Sequence, residues 1–254
     1  MDPVLYQGCR ITAKLGQSSH DMPYLNFISD DLLKIHVREV ITAVTVAEGD
    51  AEKTLYKNVV DPFSAIFDAH FHQMTLSDWL VSEKARQIQK TMQNALGTFH
   101  QNILGSMDGW EDLGVGHVFD IRNRERRMIA EVKNKYNTTK GNHKVAIYDD
   151  LKNELSKPEY AGFTSYYVEI ISQRRHKYDK PFTPSDNRSG RQRPEDERIR
   201  VIDGSTFYAL ASGTEDALKK LYSALPEVIA DITRKPADVI TSDPLFMTLF
   251  NRAF

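Results

Sequence analysis

Phe163 to Ile171, FTSYYVEII, is built from aromatic and β-branched residues around a single charge. Such side chains pack best on a pleated, buried surface, so the run reads as an interior strand. Val118 to Ile121 and Arg127 to Val132 are short apolar runs on either side of a polar turn, the pattern of a hairpin, and Ile199 to Ile202 reads as another short strand. Helical spacing surrounds them. Ser29 is placed to cap a helix with Leu32, Leu33, His36, Val37 and Val40 on one stripe. Pro62, after Asp61, suits the first turn of a second helix carrying Phe63, Ile66, Phe67 and Ala69. A long helix capped by Ser77 runs through Leu80, Val81, Lys84, Ile88, Met92 and Leu96, ending at Gly97 or continuing to Gly105. Val145 to Leu155, Ser205 to Leu210 and Asp216 to Ile232 are also helical. Lys180 to Pro194, broken by Pro181, Pro184 and Gly190, reads as a loop. The expected fold class is α/β, a mixed α+β sheet with flanking helices.

At 254 residues the chain suits one domain. We divide it into an N-terminal arm (1–21) without periodicity, a core (22–233) and an apolar tail (234–254). The tail carries Leu245, Phe246, Leu249 and Phe254 and should dock on the core. No run is long and apolar enough to span a membrane, and the start lacks the basic-then-apolar pattern of a secretory signal. The single cysteine, Cys9, excludes an internal disulfide and a thiolate zinc cluster, in keeping with a reducing cytoplasm.

The net charge of −2 hides an asymmetry. Arg122, Arg124, Arg126, Arg127, Lys133, Lys135, Lys140 and Lys144 face only Glu125 and Glu131 within their stretch. A second basic run holds Arg174, Arg175, Lys177, Lys180, Arg188, Arg191, Arg193, Arg198 and Arg200. A chain polarised in this way can present a positive face to phosphates while staying near neutral overall.

Within the hairpin, period-two alternation sends Met128, Ala130 and Val132 to one face and Ile129, Glu131 and Lys133 to the other. The turn can bring Asp120 beside Glu131. Two converging carboxylates repel unless a cation lies between them, and oxygen ligands suit Mg²⁺. A neighbouring lysine can orient or deprotonate water and offset charge on a pentavalent phosphate. That is the equipment of metal-assisted phosphodiester hydrolysis, although an Asp followed by Glu-x-Lys at this spacing also arises by chance, as an ordinary surface hairpin.

The stretch resembles the PD-(D/E)xK nucleases, with Asp120, Glu131 and Lys133 in the motif positions and Phe119 in place of the proline. NFISDDLLKIHV, NVVDPFSAIFDAHF, EKARQIQKT, GTFHQNILG, GWEDLGVGHVFDI, AEVKNKYNT and LYSALPEVIADI, between Tyr24 and Ile232, resemble the SinI-type type II restriction endonucleases, which cut GGNCC or GGWCC. The resemblance implies a restriction-endonuclease-like core and Mg²⁺-dependent cleavage of double-stranded DNA leaving 5′-phosphates, with Mn²⁺ as a substitute metal. It also implies metal ligation by Asp120, Glu131 and Val132, a homodimer, a cognate DNA methyltransferase as functional partner, and a prokaryotic cytoplasmic setting. A helix before the hairpin often adds an acidic residue in this superfamily, and Glu83 is the matching candidate. Arg86 and Gln87 share its helical face, and Gln101 could orient Glu83 or water. For DNA contacts the candidates are Arg86, Gln87, Lys135, Asn137, Thr138, Asn142, His143 and Lys144, with Arg174 and Arg175 approaching from the next strand. The alternatives are a repair or junction-resolving nuclease of the same superfamily and a DNA-binding module without catalysis. His70-x-His72, Gly114-x-Gly116 and Cys9 lack the spacing or context for a metal pair, a dinucleotide loop or a nucleophile.

Overall fold

The computed structural model describes residues 22–57, 60–114, 116–186 and 190–254. The N-terminal arm, Cys9 and Arg188 lie outside them.

The interior strand expected from FTSYYVEII is β4 (Thr164–Ile171), one of a sheet ordered β1-β2-β3-β4-β8-β5. It is parallel to β3 (Met128–Lys135) on one side and to β8 (Ile199–Asp203) on the other. β2 (Ile121–Asn123) runs antiparallel to β3, β1 (Trp110–Asp112) antiparallel to β2, and β5 (Asp179–Pro181) antiparallel to β8. Tyr166, Val168 and Ile170 of β4 point to one core and Tyr167 to another, so both faces of this strand are buried. Two-sided burial is why it reads as an almost continuous apolar run.

The first core lies under α1 (Asp30–Gly49), α4 (Leu76–Gly105), α6 (Gly204–Ser212) and α7 (Ala217–Thr233), which cover Ala130, Val132, Val168 and Ile202. The second lies under α5 (Gly141–Leu155), whose Ile147, Tyr148, Leu151 and Leu155 pack on Ile129 and Tyr167. Gly204 lets α6 begin directly against β4, since a Cβ there would lie 2.4 Å from the Ile170 carbonyl oxygen.

Several expected boundaries shift, each for a local reason. Thr75, not Ser77, caps α4, because Thr75 and Asp78 satisfy each other's backbone donors in a capping box. The helix passes through Gly97 without interruption. On α1, Ser29 is the N-cap as expected, but the buried stripe centres on Leu33 and Val37, with Leu32 exposed. The hairpin strands are offset from the apolar runs, and Val118 lies outside them. The Lys180–Pro194 region holds the end of β5 and a two-stranded ribbon, β6 (Ser185–Asp186) with β7 (Arg191–Gln192). α5 begins at Gly141, so Asn142, His143 and Lys144 occupy its first turn rather than a connecting loop. The tail forms α8 (Asp238–Thr241) and α9 (Leu245–Ala253) and docks through Phe250, which is buried, Phe254, and Phe246, stacked 4.9 Å from the Tyr222 ring, while Leu245 and Leu249 of the expected set are exposed. No helix among the described residues is long and apolar enough to cross a membrane.

Two short helices complete the α1/α4 side: α2 (Ala51–Thr54) and α3 (Pro62–Phe71). Pro62 opens α3 after Asp61 as the sequence suggested, and the Asp61 side chain caps the helix. Its inward residues, however, are Ala65 and Ala69, packed with Trp79, while Phe63, Ile66 and Phe67 face solvent.

Candidate active site

β3 supplies two of the three motif residues on the α5 face. Ile129 anchors that face in the core, and the next two residues on it, Glu131 and Lys133, emerge beyond the α5 packing with side chains 14% and 27% exposed. Asp120 precedes β2. Its backbone N–H donates to the Ala130 carbonyl at 2.9 Å, and its Oδ2 accepts from the Val132 N–H at 2.7 Å. The carboxylate thus takes the place of a ladder carbonyl. Phe119 fixes the approach to Asp120: it is buried and meets Tyr160 edge-on at 5.6 Å. An aromatic anchor therefore stands where the motif has proline.

Lys133 Nζ lies 2.5 Å from Glu131 Oε1 and 3.9 Å from Asp120 Oδ2. Burial, followed by the charge of Asp120, pushes the Glu131 carboxyl up to about 7, with Lys133 opposing the shift. Burial also raises Asp120, against the pull of Lys133 and of the Val132 N–H. Without a further cation, Glu131 titrates near neutrality beside Asp120. This is the electrostatic condition a divalent ion relieves. The donor set suits a hard ion, two carboxylates and a backbone carbonyl. In an extended strand the N–H and C=O of one residue point to the same side, so the Val132 carbonyl faces the side on which its N–H meets Asp120.

Asp112 of β1 was not singled out from the sequence. It pairs with Ile121, adjacent to Asp120, and its charge raises the Asp120 pKa. Gln101 of α4 donates to Asp112 Oδ1 at 2.9 Å, so Gln101 acts on Asp112 rather than on Glu83.

Glu83 is not brought to the carboxylates. It precedes Gln101 by eighteen residues, about 27 Å of helix rise, on a helix that covers the opposite face of the sheet from Glu131 and Lys133. It is buried and accepts from Arg86 Nε and a terminal guanidinium nitrogen of Arg86, both at 2.6 Å, and from Gln87 Nε2 at 2.9 Å. The Arg86 contact holds its carboxyl below the usual range. Glu83→Gln is therefore expected to leave the Mg²⁺ concentration for half-maximal cleavage unchanged and to cost about 1 kcal/mol of stability through the weakened Arg86 contact. A metal titration paired with urea unfolding checks both.

The structure divides the basic runs. Arg122 and Arg124 pair with Glu111, and Arg126 donates to the Leu210 carbonyl at 2.6 Å, all by the turn at the far end of the hairpin from Glu131. Arg193 pairs with Asp149 and Asp186, and Arg200 with Asp179 and Glu197. By contrast, Lys135 ends β3, and Asn137, Thr138, Lys140, Asn142, His143 and Lys144 follow it. Arg174 and Arg175 follow the C-terminal end of β4, which parallel pairing places at the same edge. Arg174 and Arg175 make no ion pair among the described residues. A cleft of about 420 Å³ opens there, lined by Lys144, Glu169, Arg174, His176, Tyr178 and Lys180 among others.

Glu169, also absent from the sequence-derived candidates, organises this cleft. It is buried beside Lys133 in the sheet register and accepts from Lys144 Nζ and the Tyr178 hydroxyl, each at 2.6 Å. Its signal in the sequence is the single charge in FTSYYVEII.

Residues 25–234 match the family model described as the Eco47II restriction endonuclease, nearly the span of the family resemblance noted from the sequence. The chain is 46% identical over 211 residues to the type II restriction enzyme Eco47II of Escherichia coli, covering 82% of this chain and 87% of that enzyme. It is 32% identical over 235 residues to the type II restriction enzyme Sau96I of Staphylococcus aureus, covering 91% and 89%. With a mixed sheet that gathers Asp120, Glu131 and Lys133 at one edge and a family match along most of its length, the chain belongs to the Eco47II restriction endonuclease family of type II site-specific endonucleases.

Proposed function

We propose that Asp120, Glu131 and Lys133 carry out Mg²⁺-dependent hydrolysis of phosphodiester bonds in double-stranded DNA, at a short palindrome of the GGNCC or GGWCC kind, leaving 5′-phosphate ends. The observation that carries this reading is the carboxylate pair with Lys133 Nζ 2.5 Å from one member and 3.9 Å from the other. Asp120, Glu131 and the Val132 carbonyl would hold the metal, with Mn²⁺ as a substitute. When bound, Mg²⁺ would neutralise charge on the scissile phosphate. Lys133 orients the attacking water through its ammonium N–H groups and offsets charge as the phosphate becomes pentavalent. The Val132 N–H keeps Asp120 in one position, which spares the site reorganisation during reaction.

Digestion of a sequenced plasmid with Mg²⁺, then with EDTA, tests the proposal. A discrete ladder lost on chelation supports it, and mapped fragment ends give the middle base and the bond cut. Nicking confined to branched DNA would point to a junction-resolving nuclease, and binding without cleavage to a DNA-binding module. The same reading implies a homodimer on the palindrome, a DNA methyltransferase protecting the host's sites, and a cytoplasmic location.

For DNA reading we assign Lys135, Asn137, Thr138, Asn142 and His143, with Arg174 and Arg175 at the neighbouring strand end; Lys144 stands among them with its ammonium on Glu169, and Arg86 and Gln87, also expected to contact DNA, are turned to Glu83. Asn137, Asn142 and His143 are exposed at the edge that carries Lys133. Loss of a bidentate base contact is expected to cost about 1–3 kcal/mol and relax discrimination at one position. Loss of a phosphate contact should weaken all duplexes alike and reduce the salt slope by about one unit. Alanine variants of Lys135, Asn137 and Arg174, measured on cognate and single-mismatch duplexes across a salt series, separate the two kinds. If all three match wild type in affinity, specificity and salt slope, the reading surface lies elsewhere.

A further inference from the structure

The outward face of α3 is not used by the proposed reaction. Phe63, Ile66, Phe67 and Phe71 recur at i, i+3, i+4 and i+8 and are 73%, 60%, 74% and 85% exposed. A surface helix ordinarily turns its bulky apolar residues inward, and a contiguous exposed patch of them marks an interaction site. On α3 the arrangement is inverted: alanines pack inward against Trp79 and aromatic side chains point out.

The position of α3 indicates what covers it. α4 runs antiparallel to β3, since Gln89, Met92 and Gln93 line one cavity with Asn134 and Lys135 at the end of β3, whereas Gln101 reaches Asp112. The helix from Gln89 back to Leu76 thus extends about 20 Å past the catalytic end of the sheet. It carries α3 with it, through the Ala65–Ala69–Trp79 contact and the bond from Trp79 Nε1 to Asp68 Oδ2 at 3.0 Å. The aromatic stripe therefore lies beyond the C-terminal end of β3, the end from which Glu131 and Lys133 emerge, and two copies with their carboxylate pairs on opposite strands of one duplex would meet across that end.

We propose that this face is the contact between two copies of the chain, α3 against α3 about a two-fold axis. The inference deepens the reading of the chain as an enzyme that cuts both strands of a palindrome, and rests on it. A two-fold contact uses the same patch on both subunits. At roughly 200 Å² per aromatic side chain, the four exposed side chains offer about 500 Å² per copy. A pair thus buries about 1,000 Å², at the threshold of a specific interface. The flank is polar and mixed in charge, with His72 Nε2 3.3 Å from Asp68 Oδ1.

Sedimentation velocity on the full chain, on Phe67→Glu and on Phe67→Lys tests it, with circular dichroism to confirm folding. Wild type is expected at twice the 29.0 kDa chain mass. Each variant is expected at the single-chain mass, and an equal mixture of the two should return to the double mass as opposite charges meet across the axis. On supercoiled plasmid, wild type should yield linear DNA directly, whereas either variant alone should accumulate nicked circles and the mixture should recover linear product. Wild type at the single-chain mass on cognate duplex, with α3 left to another occupant, overturns the proposal. So do variants that keep the double mass, or a mixture that stays monomeric. Variants that stay dimeric and still cut at discrete sites overturn the α3 contact while leaving the nuclease reading intact. Mass changes as expected without any plasmid cleavage by wild type uphold the contact and overturn that reading.

Discussion

Lys133→Ala should cut cognate DNA at least about 10²-fold more slowly than wild type, the order of loss seen when one preorganised stabilising group is removed from an active site. Lys133 is the only group within 4 Å that bridges Glu131 and Asp120 among the described residues, and its removal leaves the two carboxylates facing one another without a protein cation. Asp120→Asn and Glu131→Gln should lose as much or more, because each takes a charge from the expected metal ligands. The three should differ in binding. Affinity for cognate duplex in Ca²⁺ should survive best in Lys133→Ala, where both carboxylates remain. Single-turnover rates at saturating enzyme, together with duplex binding in Ca²⁺, separate chemistry from affinity. A wild-type rate in any one variant removes that residue from the site.

Glu131→Gln should also stabilise the metal-free protein at alkaline pH, by on the order of 3 kcal/mol. In the folded chain burial raises Glu131 from 4.5 to about 7. Between those values the folded state holds a proton that the unfolded state has released. Wild-type stability contributed by this group is therefore present below pH about 4.5 and lost as pH rises through 7, where a buried charge must be accommodated beside Asp120. Glutamine carries no such charge. Urea midpoints in EDTA should favour Glu131→Gln at pH 8 and converge with wild type near pH 5. Added Mg²⁺ should stabilise wild type selectively, since only wild type keeps both carboxylates. A Glu131→Gln variant less stable than wild type at pH 8 in EDTA would refute the assignment of burial and like charge as the cause.

The motif was readable because its constraints are local. Alternation along one strand puts Glu131 and Lys133 on a common face, and a tight turn limits how far Asp120 can lie from Glu131. The order of charges and apolar residues over this short stretch contains that information, as the continuous apolar run of β4 and the cap at Ser29 signal their own elements. The hairpin's exact ends were not readable, because Asp120 substitutes its side chain for a backbone carbonyl where ladder pairing stops.

Long-range packing decided the rest. Arg122, Arg124 and Arg126 are as basic in the sequence as Lys135 and Arg174, yet they sit at the opposite end of the hairpin, engaged by Glu111 and the Leu210 carbonyl. Glu83 has the right residue type on the right kind of helix, but the antiparallel course of α4 carries it away from the sheet edge. Asp112 and Glu169 enter the site region only through strand pairing with residues distant in the chain. On α3 the apolar spacing was legible, but its orientation was not. Spacing tells which residues share a helix face, and only the competing surfaces of Trp79 and α4 settle which face turns inward.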